Sequence, residues 1–333
     1  MTGSPSSGNL RIAVLIPCYN EEVAIGKVVA DFRAALPAAK IFVYDNNSRD
    51  GTVRVARAAG AIVRTESLQG KGHVVRRMFA DVEADVYVLV DGDDTYEAAD
   101  APAMVALLQD NQLDMVCGIR VTEQDAGHQG KAYRRGHRFG NRMLTGMVGW
   151  IFGERIGDLL SGYRVFSRRF VKSFPALAAG FETETELSIH ALELRMPLGE
   201  LPTSYRARAE GSTSKLRTYS DGLRILRTII VLVKEEKPLQ FFSLAGFVLL
   251  VIGLALGIPV VIDFLRTGTV ARFPTAILAT GIVLLSFLSA VCGLVLDSVA
   301  RGRKEIKRLA YLGIPLPPQT SPAAAGESLP PGV

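Results

Sequence analysis

The chain has 333 residues, enough to form a complete α/β core and more than one structural unit. Lysine and arginine outnumber aspartate and glutamate by 38 to 33, and this net charge of +5 is too small to indicate a nucleic-acid partner. The hydrophobic fraction of 48% is high for a soluble protein, because apolar residues are concentrated in two segments near the C-terminus.

The first ten residues, MTGSPSSGNL, are polar and predict a disordered segment over residues 1–10. They contain no apolar run of the kind that forms the centre of a signal peptide. We therefore expect the residues before Leu239 to stay in the cytoplasm.

Apolar and amphipathic segments alternate along the next part of the chain. The predicted strands are RIAVLIP, KIFVY, AIVR, VYVLV and DMVCG, and the predicted helices between them cover Glu21–Leu36, Thr52–Ala59, Gly72–Val82 and Ala101–Gln109. Continuous apolar strands separated by helices indicate a mostly parallel sheet covered on both faces. Such sheets bind ligands beyond the carboxyl ends of their strands. The polar clusters CYNEE, DNNSRDGT, ESLQGKG and DGDDT all follow predicted strands.

The segment VLVDGDDT, residues 88–95, runs from a predicted strand into three carboxylates. Asp91 and Asp93 are two positions apart, so in an extended backbone their side chains leave on the same face and repel each other unless a positive charge lies nearby. Mg²⁺ or Mn²⁺ meets this requirement, since both prefer oxygen ligands and often bridge protein carboxylates to substrate phosphates. A polar loop in which Asp94 or Thr95 caps the next helix is the alternative.

The segment QGKGH places Lys71 between two glycines, directly before a predicted helix. The N-terminus of a helix can receive an anion, so Lys71 is a candidate for binding the phosphates of a ligand. The alternative is a turn with a solvated lysine. The chain contains neither GxGxxG after the first strand nor GxxxxGK[ST], so no motif indicates dinucleotide or P-loop binding.

Two segments without a charged residue, 239–262 and 273–296, are each long enough to cross a bilayer as a helix. Basic residues are concentrated outside the two ends of this predicted hairpin. The positive-inside bias then places both termini in the cytoplasm and predicts a multi-pass protein of the inner (cytoplasmic) membrane. We predict an amphipathic helix over residues 217–238 that lies along the headgroups or packs on the protein's own core, a basic cytoplasmic segment over residues 297–312 and a disordered tail over residues 313–333.

The motifs VLIPCYNEE, YDNNSRDGT and VDGDDTY, in this order and at successive strand ends, resemble the nucleotide-sugar-binding half of a family 2 glycosyltransferase. The downstream DLLSGYRVFSRR and GSTSKL, followed by two spans, narrow the resemblance to polyprenyl-phosphate glycosyltransferases, the group of bactoprenol glucosyltransferases and dolichyl-phosphate mannose synthases. The resemblance covers about Arg11 to Leu312. It implies an α/β fold of the GT-A (nucleotide-diphospho-sugar transferase) type, with a Rossmann-like sheet in a catalytic domain over residues 11–216.

The resemblance also implies roles for residues on the donor side. The first-strand loop with Pro17, Tyr19 and Glu21 matches the region around the base and ribose, and Asp45 matches an acidic residue that contacts the nucleoside. Asn46 and Asn47 replace the more common acidic and glycine residues of DDGS. Asp91 and Asp93 match the metal-binding DxD pair, with Asp93 the more direct ligand, and Thr95 stands where some members place a third ligand.

On the acceptor side, the resemblance matches Asp158 to an acidic residue near the acceptor and Arg164 to a basic residue close to the phosphates. A lipid phosphate with a second pKa near 6 is already a nucleophile at neutral pH, so it needs cations more than a base. We therefore predict that Asp158 orients Arg164 or the acceptor. The other candidates for binding the acceptor phosphate lie between the metal motif and the membrane: Arg135, Arg208 and Lys215.

Together these patterns predict a metal-dependent, inverting hexosyltransferase that moves one sugar from a nucleotide sugar, with a UDP-sugar favoured, to undecaprenyl phosphate or a similar lipid. The predicted partners are the donor, the acceptor and the bilayer, with a homo-oligomer as an open alternative. A hydroxyl acceptor on a lipid or glycan is the alternative reaction. VLVDGDDT also fits the DxDxT pattern of aspartyl-phosphate-forming phosphatases, but no later strand ending in paired acids follows it. The QxxRW motif of processive polysaccharide synthases is absent.

Overall fold

A computed structural model of the chain describes residues 10–121, 146, 148–153, 157–180, 182–206, 230–231 and 233–315. The chain divides into two compact units. The first consists of Met1–Gln129, Gly157–Thr213 and Leu309–Val333, and the second consists of Gly130–Ile156 and Ser214–Arg308.

The first unit is built on a seven-stranded sheet. The strand order is β3-β2-β1-β4-β6-β5-β7; β6 runs antiparallel to β4 and β5, and all other neighbours are parallel. This agrees with the predicted mostly parallel sheet. The strands are β1 (Ile12–Cys18), β2 (Lys40–Asp45), β3 (Ile62–Thr65), β4 (Val86–Leu89), β5 (Met115–Val121), β6 (Arg164–Ser167) and β7 (Leu198–Ser204).

Helices cover both faces of this sheet. Val14, Leu15 and Ile16 of β1 are each 0% exposed although their side chains alternate between the two faces, so the strand is buried from both sides. Val14 and Ile16 belong to one apolar cluster with Val28 and Phe32 of the first helix. The helices are α1 (Ile25–Ala35), α2 (Thr52–Ala58), α3 (Lys71–Asp81), α4 (Ala101–Asp110), which follows a 3₁₀ turn at Ala98–Asp100, α5 (Arg168–Ser173) and α6 (Thr183–Leu194).

The predicted strands and helices up to β5 are all present, with small differences at their ends. The largest difference is at the start of α1, predicted at Glu21 and observed at Ile25. The amides of Ala24 and Ile25 both donate to the Glu21 carbonyl, so Glu21 belongs to a turn that leads into the helix. This turn keeps Glu21 at the carboxyl edge of the sheet, next to the end of β1.

The second unit contains two long apolar helices, α7 (Pro238–Thr267) and α8 (Phe273–Leu312), of which the last residues belong to the first unit. By length and composition both could cross a membrane, and only 17% of each apolar window is buried within the protein. A helix of a soluble core would bury most of that surface, so the exposed apolar faces favour a lipid environment. The helices pack closely, since a β-carbon at Gly253 would lie 2.7 Å from Val283.

Candidate active site

The candidate site lies at the carboxyl edge of the sheet, where the strand order changes direction. β2 and β3 lie on one side of β1 and β4 lies on the other, so the loops that follow β1 and β4 diverge. Open α/β sheets bind ligands in the crevice between such loops. Tyr19 and Glu21 follow β1, and Asp91 and Asp93 follow β4. The fold therefore brings the predicted nucleotide loop and the predicted metal motif to the same edge.

The two aspartates of the DGD segment, residues 91–93, have different surroundings. Asp93 is 5% exposed, and its Oδ1 accepts hydrogen bonds from the amide and the hydroxyl of Thr95 at 3.3 and 2.6 Å. The side chain of Asp91 is 30% exposed. The next helical segments, Ala98–Asp100 and α4, begin without a side-chain cap, so the alternative in which Asp94 or Thr95 caps a helix is wrong. Thr95 instead orients Asp93.

Lys71 forms a buried ion-pair bridge between Asp91 and Glu184. Its Nζ lies 2.5 Å from Asp91 Oδ1 and 2.5 Å from Glu184 Oε1, and only 11% of the lysine side chain is exposed. Burial by itself lowers the pKa of Lys71, but the charges of the two carboxylates outweigh burial, and the net pKa is raised. The lysine is therefore an ammonium within the site, and the alternative of a solvated lysine is wrong.

The glycines on either side of Lys71 allow this placement. Gly70 has φ +136°, a conformation open mainly to glycine, and a β-carbon there would lie 2.2 Å from the Ala179 carbonyl oxygen. A β-carbon at Gly72 would lie 2.1 Å from the Ala178 carbonyl oxygen. The Gly72 amide donates to Ala179, so it is engaged with protein rather than open to an anion. The GKG segment thus serves to hold the Lys71 ammonium beside the DGD segment.

The second loop shows why asparagine follows Asp45. Asn46 Nδ2 donates to the carbonyls of Glu66 and Leu68 at 2.9 and 2.8 Å, while its Oδ1 accepts from the Gly70 amide at 2.7 Å. An aspartate could not make the two donated bonds. Asn46 therefore ties the loop after β2 to the segment that carries Lys71. Asp45 is 4% exposed and accepts from the Ser48 amide.

The first loop is held against the second by hydrogen bonds between backbone amides and side chains. Asn20 has φ +55°, its amide donates to Ser48 Oγ at 2.8 Å, and its Oδ1 accepts from the Arg49 amide at 2.8 Å. The Glu21 amide donates to Thr52 Oγ1 at 2.8 Å. Pro17, the first residue predicted for this loop, lies within β1 and pairs in register with Tyr44. Pro17, Tyr19, Glu21 and Asp45 are thus all at this edge, and their contacts to a nucleotide remain a prediction.

The SGYR segment packs directly on the DGD segment. A β-carbon at Gly162 would lie 2.3 Å from Asp91 Oδ2, which only glycine avoids. The Gly162 amide donates to the Tyr96 hydroxyl at 2.9 Å. Burial, followed by the charge of Asp91, raises the pKa of Tyr96, so this hydroxyl is neutral. The segment before β6 therefore forms a wall of the site against Asp91.

Arg164 does not lie where the resemblance implied. Its side chain is 0% exposed and donates to the carbonyls of Leu159 and Ser161 and to the hydroxyl of Ser188, at 2.8, 3.0 and 2.8 Å. A guanidinium enclosed in this way holds the segment before β6 in place. The sequence matched its position in the motif but could not reveal its burial.

Asp158 pairs with Arg120 instead of Arg164. Arg120 Nε and Nη2 donate to the two carboxylate oxygens of Asp158 at 2.6 and 2.9 Å, and the Leu160 amide donates to Asp158 Oδ1 at 3.2 Å. Burial raises the pKa of Asp158, but its bonds to Arg120 and the arginine's charge outweigh burial, and the net pKa lies below the ordinary value of 3.8. Asp158 therefore orients Arg120, whereas the sequence led us to expect that it orients Arg164 or the acceptor.

Sequence reasoning missed Arg120 and Glu184. Arg120 lies near the carboxyl end of β5. The predicted strand DMVCG ends at Gly118, and the position of Arg120 two residues later was the signal that it could reach the edge of the site. Glu184 lies in the first turn of α6, where acidic residues are common because they interact favourably with the helix dipole, so its position gave no chemical signal. The predicted acceptor-phosphate residues Arg135, Arg208 and Lys215 lie outside the described residues.

The oxygen ligands available at the site suit a hard divalent cation that the substrate also helps to bind. Within the described residues, no group of three or more histidine, cysteine, aspartate or glutamate side chains is arranged to bind a metal by itself. Mg²⁺ commonly takes one or two protein carboxylates and completes its shell with substrate phosphates and water. Asp91 and Asp93 fit that pattern. Lys71 already supplies part of the positive charge that the paired aspartates require.

Known proteins are similar to this chain in sequence. A family model described as Glycosyl transferase family 2 matches residues 13–173. Glycosyltransferase AglJ of Haloferax volcanii is 31% identical over 303 residues, which are 90% of this chain and 98% of that protein. Protein RfbJ of Shigella flexneri is 57% identical over 130 residues, 39% of this chain and 98% of that protein. The dolichyl-phosphate hexose transferase of Haloferax volcanii is 30% identical over 226 residues, 68% of this chain and 95% of that protein.

Solved structures share the fold. Glucosyl-3-phosphoglycerate synthase of Mycobacterium tuberculosis, in complex with Mn²⁺, UDP-glucose and glycerol 3-phosphate, matches with a TM-score of 0.54 and 22% identity. The match covers 68% of this chain and 79% of that chain. A second structure of the same synthase matches with a TM-score of 0.52. This likeness confirms the predicted α/β fold of the GT-A type.

Proposed function

Because the chain belongs to glycosyl transferase family 2, we propose that it transfers one sugar from a nucleotide sugar, with a UDP-sugar favoured, to undecaprenyl phosphate or a similar polyprenyl phosphate. Family membership confirms the resemblance drawn from the motifs, and the chain is an enzyme of the glycosyltransferase class. The observation that carries the proposal is the meeting of Asp91, Asp93 and Lys71 at one sheet edge, in a chain that also has two helices apolar enough to cross a membrane.

The donor assignment is supported by the chemistry of the DGD segment. The related fold of glucosyl-3-phosphoglycerate synthase has been solved with Mn²⁺ and UDP-glucose. Here Asp91 and Asp93 would hold Mg²⁺ or Mn²⁺ against the donor diphosphate. The cation supplies electrostatic stabilisation for the charge that develops on the leaving nucleoside diphosphate. Pro17, Tyr19, Glu21 and Asp45 would enclose the nucleoside, and Lys71 would add positive charge near the phosphates.

The acceptor assignment is supported by a relative and by the apolar helices. One relative is a dolichyl-phosphate hexose transferase, and dolichyl phosphate is a lipid phosphate of the proposed acceptor class. In the proposed reaction, an acceptor phosphate oxygen bonds to the anomeric carbon while the bond from that carbon to the nucleoside diphosphate breaks, with inversion. The lipid phosphate is largely ionised at neutral pH, so no residue has to remove a proton.

Arg120 takes over the role that the resemblance implied for Arg164. Its side chain is 24% exposed, whereas Arg164 is fully buried, so Arg120 is the one of the two that a phosphate can approach. Asp158 fixes the guanidinium through two short hydrogen bonds, which leaves the remaining donors oriented. We assign Arg120 to the acceptor phosphate, Asp158 to positioning Arg120, and Arg164 to holding the segment before β6.

The proposal includes the arrangement in the membrane. The catalytic domain over residues 11–216 would lie on the cytoplasmic side, and residues 239–262 and 273–296 would span the inner membrane with both termini in the cytoplasm. Basic residues that flank the outer ends of the apolar segments support this orientation. The product would be a lipid-linked sugar for the synthesis or modification of a cell-envelope glycan.

A hydroxyl acceptor is the second candidate, and the surroundings of Asp158 argue against it. A hydroxyl must lose its proton during attack and needs a general base with a pKa near the working pH. The bonds to Arg120 keep the pKa of Asp158 below its ordinary value, which makes this carboxylate a weak base.

Membranes that contain the full-length chain should be incubated with a panel of radiolabelled UDP- and GDP-sugars. We expect one nucleotide sugar to give a lipid-extractable product that releases its sugar in mild acid. Membranes with Asp93→Asn serve as the matched control and should give none. Label that enters only water-soluble or protein fractions would contradict the proposal.

A further inference from the structure

Lys71 is a buried lysine with two carboxylate partners, one of which belongs to the DGD segment. Lys71 Nζ contacts Asp91 Oδ1 and Glu184 Oε1 at the same distance of 2.5 Å. Glu184 is 7% exposed, and its second oxygen, Oε2, has no hydrogen-bond partner among the described residues. A buried carboxylate oxygen without a partner is costly, so the arrangement is not explained by stability alone.

An ammonium on Asp91 competes with a metal ion for the same carboxylate. A cation that binds Asp91 must displace the lysine or bind beside it, and two positive charges close together repel each other strongly in a partly buried site. Lys71 cannot leave easily, because its side chain is only 11% exposed and Glu184 also binds its ammonium. The lysine therefore opposes a metal ion that arrives alone.

Glu184 remains a partner for Lys71 when Asp91 binds a metal ion instead of the lysine. If Asp91 were the single partner of Lys71, its turning to a metal ion would leave the buried ammonium unpaired, which is strongly unfavourable. Glu184 already shares Lys71, and its free Oε2 can accept a further hydrogen bond from the ammonium. The diphosphate of the donor, which brings negative charge together with the cation, also offsets the repulsion.

We propose that Lys71 and Glu184 form an internal counter-ion device: Lys71 occupies Asp91 and weakens metal binding until a nucleotide diphosphate arrives, and Glu184 holds Lys71 when Asp91 turns to the metal. This inference rests on the proposed function, since it requires that Asp91 binds a cation. It assigns a positioning role to Glu184 and makes metal binding depend on the donor.

Substitutions of Lys71 and Glu184 should shift the Mn²⁺ affinity in opposite directions. Lys71→Met removes the competing charge, so the full-length variant should bind Mn²⁺ alone at least about ten-fold more tightly than the wild type. Among the described residues, Glu184→Gln leaves Asp91 as the only charged partner of Lys71, so this variant should bind Mn²⁺ alone more weakly than the wild type. A fold defect would weaken binding in both variants.

The double variant Lys71→Met/Glu184→Gln avoids a buried unpaired glutamate and should also bind Mn²⁺ alone more tightly than the wild type. Lys27→Met is the matched control, because Lys27 contacts Asp94, directly after Asp93, at 2.8 Å but has no ion pair with Asp91. It should change the Mn²⁺ affinity less than Lys71→Met.

The measurement is the Mn²⁺ dissociation constant of the purified full-length proteins, from the electron paramagnetic resonance signal of free Mn²⁺, without nucleotide and with UDP or GDP. Without nucleotide, Lys71→Met should bind Mn²⁺ more tightly than the wild type and Glu184→Gln should bind it more weakly. Nucleotide should increase the Mn²⁺ affinity of Lys71→Met less than that of the wild type. Equal affinities of the wild type, Lys71→Met and the double variant, or an equal gain in Lys27→Met, would overturn this inference and leave the metal-dependent reaction standing. Absence of Mn²⁺ binding in every form, with and without nucleotide, would overturn both.

Discussion

Gly162 lies so close to Asp91 that a β-carbon at position 162 would be 2.3 Å from Asp91 Oδ2. The segment before β6 and the DGD segment after β4 therefore pack so closely that one added carbon atom would overlap Asp91. The carboxylate predicted to bind metal is positioned from one side by Gly162 and from another by Lys71. The SGYR motif is thus a structural requirement of the site.

The first prediction follows from this contact. Gly162→Ala should push Asp91 or the segment before β6 out of place, and a displacement near 1 Å in an active site can lower the rate by about 10²-fold. Gly302→Ala, where an added β-carbon meets no atom within 4 Å, is the control and should keep wild-type activity. The measurement is sugar transfer at saturating donor and acceptor. Wild-type turnover in Gly162→Ala would show that the contact does not position Asp91.

The second prediction concerns the cation. Asp93→Asn keeps the side-chain shape but removes a charge, and it should lower turnover by on the order of 10³-fold. Asp31→Asn, which changes a carboxylate that is 44% exposed on α1, should leave turnover unchanged. Chelation of divalent cations should inhibit the wild type, and added Mg²⁺ or Mn²⁺ should restore it. Full activity in excess chelator would contradict the role of Asp93.

The third prediction separates a positioning role of Asp158 from that of a general base. Asp158→Asn loses the charge that fixes Arg120 but retains hydrogen-bonding atoms, so it should be less harmful than Asp93→Asn. Raising the pH should not restore its activity, because an ionised lipid phosphate needs no base. A pH–rate profile with a short-chain polyprenyl phosphate measures this. Steady recovery of the variant toward pH 9 would identify Asp158 as a base and favour a hydroxyl acceptor.

The fourth prediction concerns the pH dependence of stability. The pKa of Asp158 is lower in the folded protein than its ordinary value of 3.8, so its pairing with Arg120 stabilises the fold above that value. The contribution is lost as the pH falls through the lowered pKa. Thermal unfolding should therefore show the wild type more stable than Asp158→Asn at pH 6, with the difference shrinking below about pH 4. A constant difference down to pH 2 would contradict the assignment.

The parallel half of the sheet and its polar edge could be predicted from local patterns. Each strand from β1 to β5 contains an apolar run, and the residues that follow β1, β2 and β4 carry the motifs. Asp91 and Asp93 were found because positions two apart in an extended segment share a face, which depends only on sequence spacing. The short strand β6 and its antiparallel direction were not predicted, because four residues give little periodic signal.

The contacts that decide the roles of the charged residues could not be predicted. Asp158 was expected to orient Arg164 or the acceptor, but it pairs with Arg120 of β5, which is distant in sequence. Lys71 was recognised as a candidate, whereas its partner Glu184 lies on α6 and reaches it only because the 178–180 segment packs on the GKG loop. Such pairs depend on how distant strands and helices meet.

We propose above all that the enzyme transfers the sugar to a lipid phosphate. The most direct measurement is mass spectrometry of the product formed by the full-length enzyme in lipid nanodiscs from undecaprenyl phosphate and the donor identified in the membrane assay. We predict a polyprenyl phosphate whose mass has increased by one hexose, with the sugar on the phosphate and released by mild acid, and no product from undecaprenol, which lacks the phosphate. Transfer to undecaprenol or to a glycan hydroxyl, with undecaprenyl phosphate left unmodified, would contradict it.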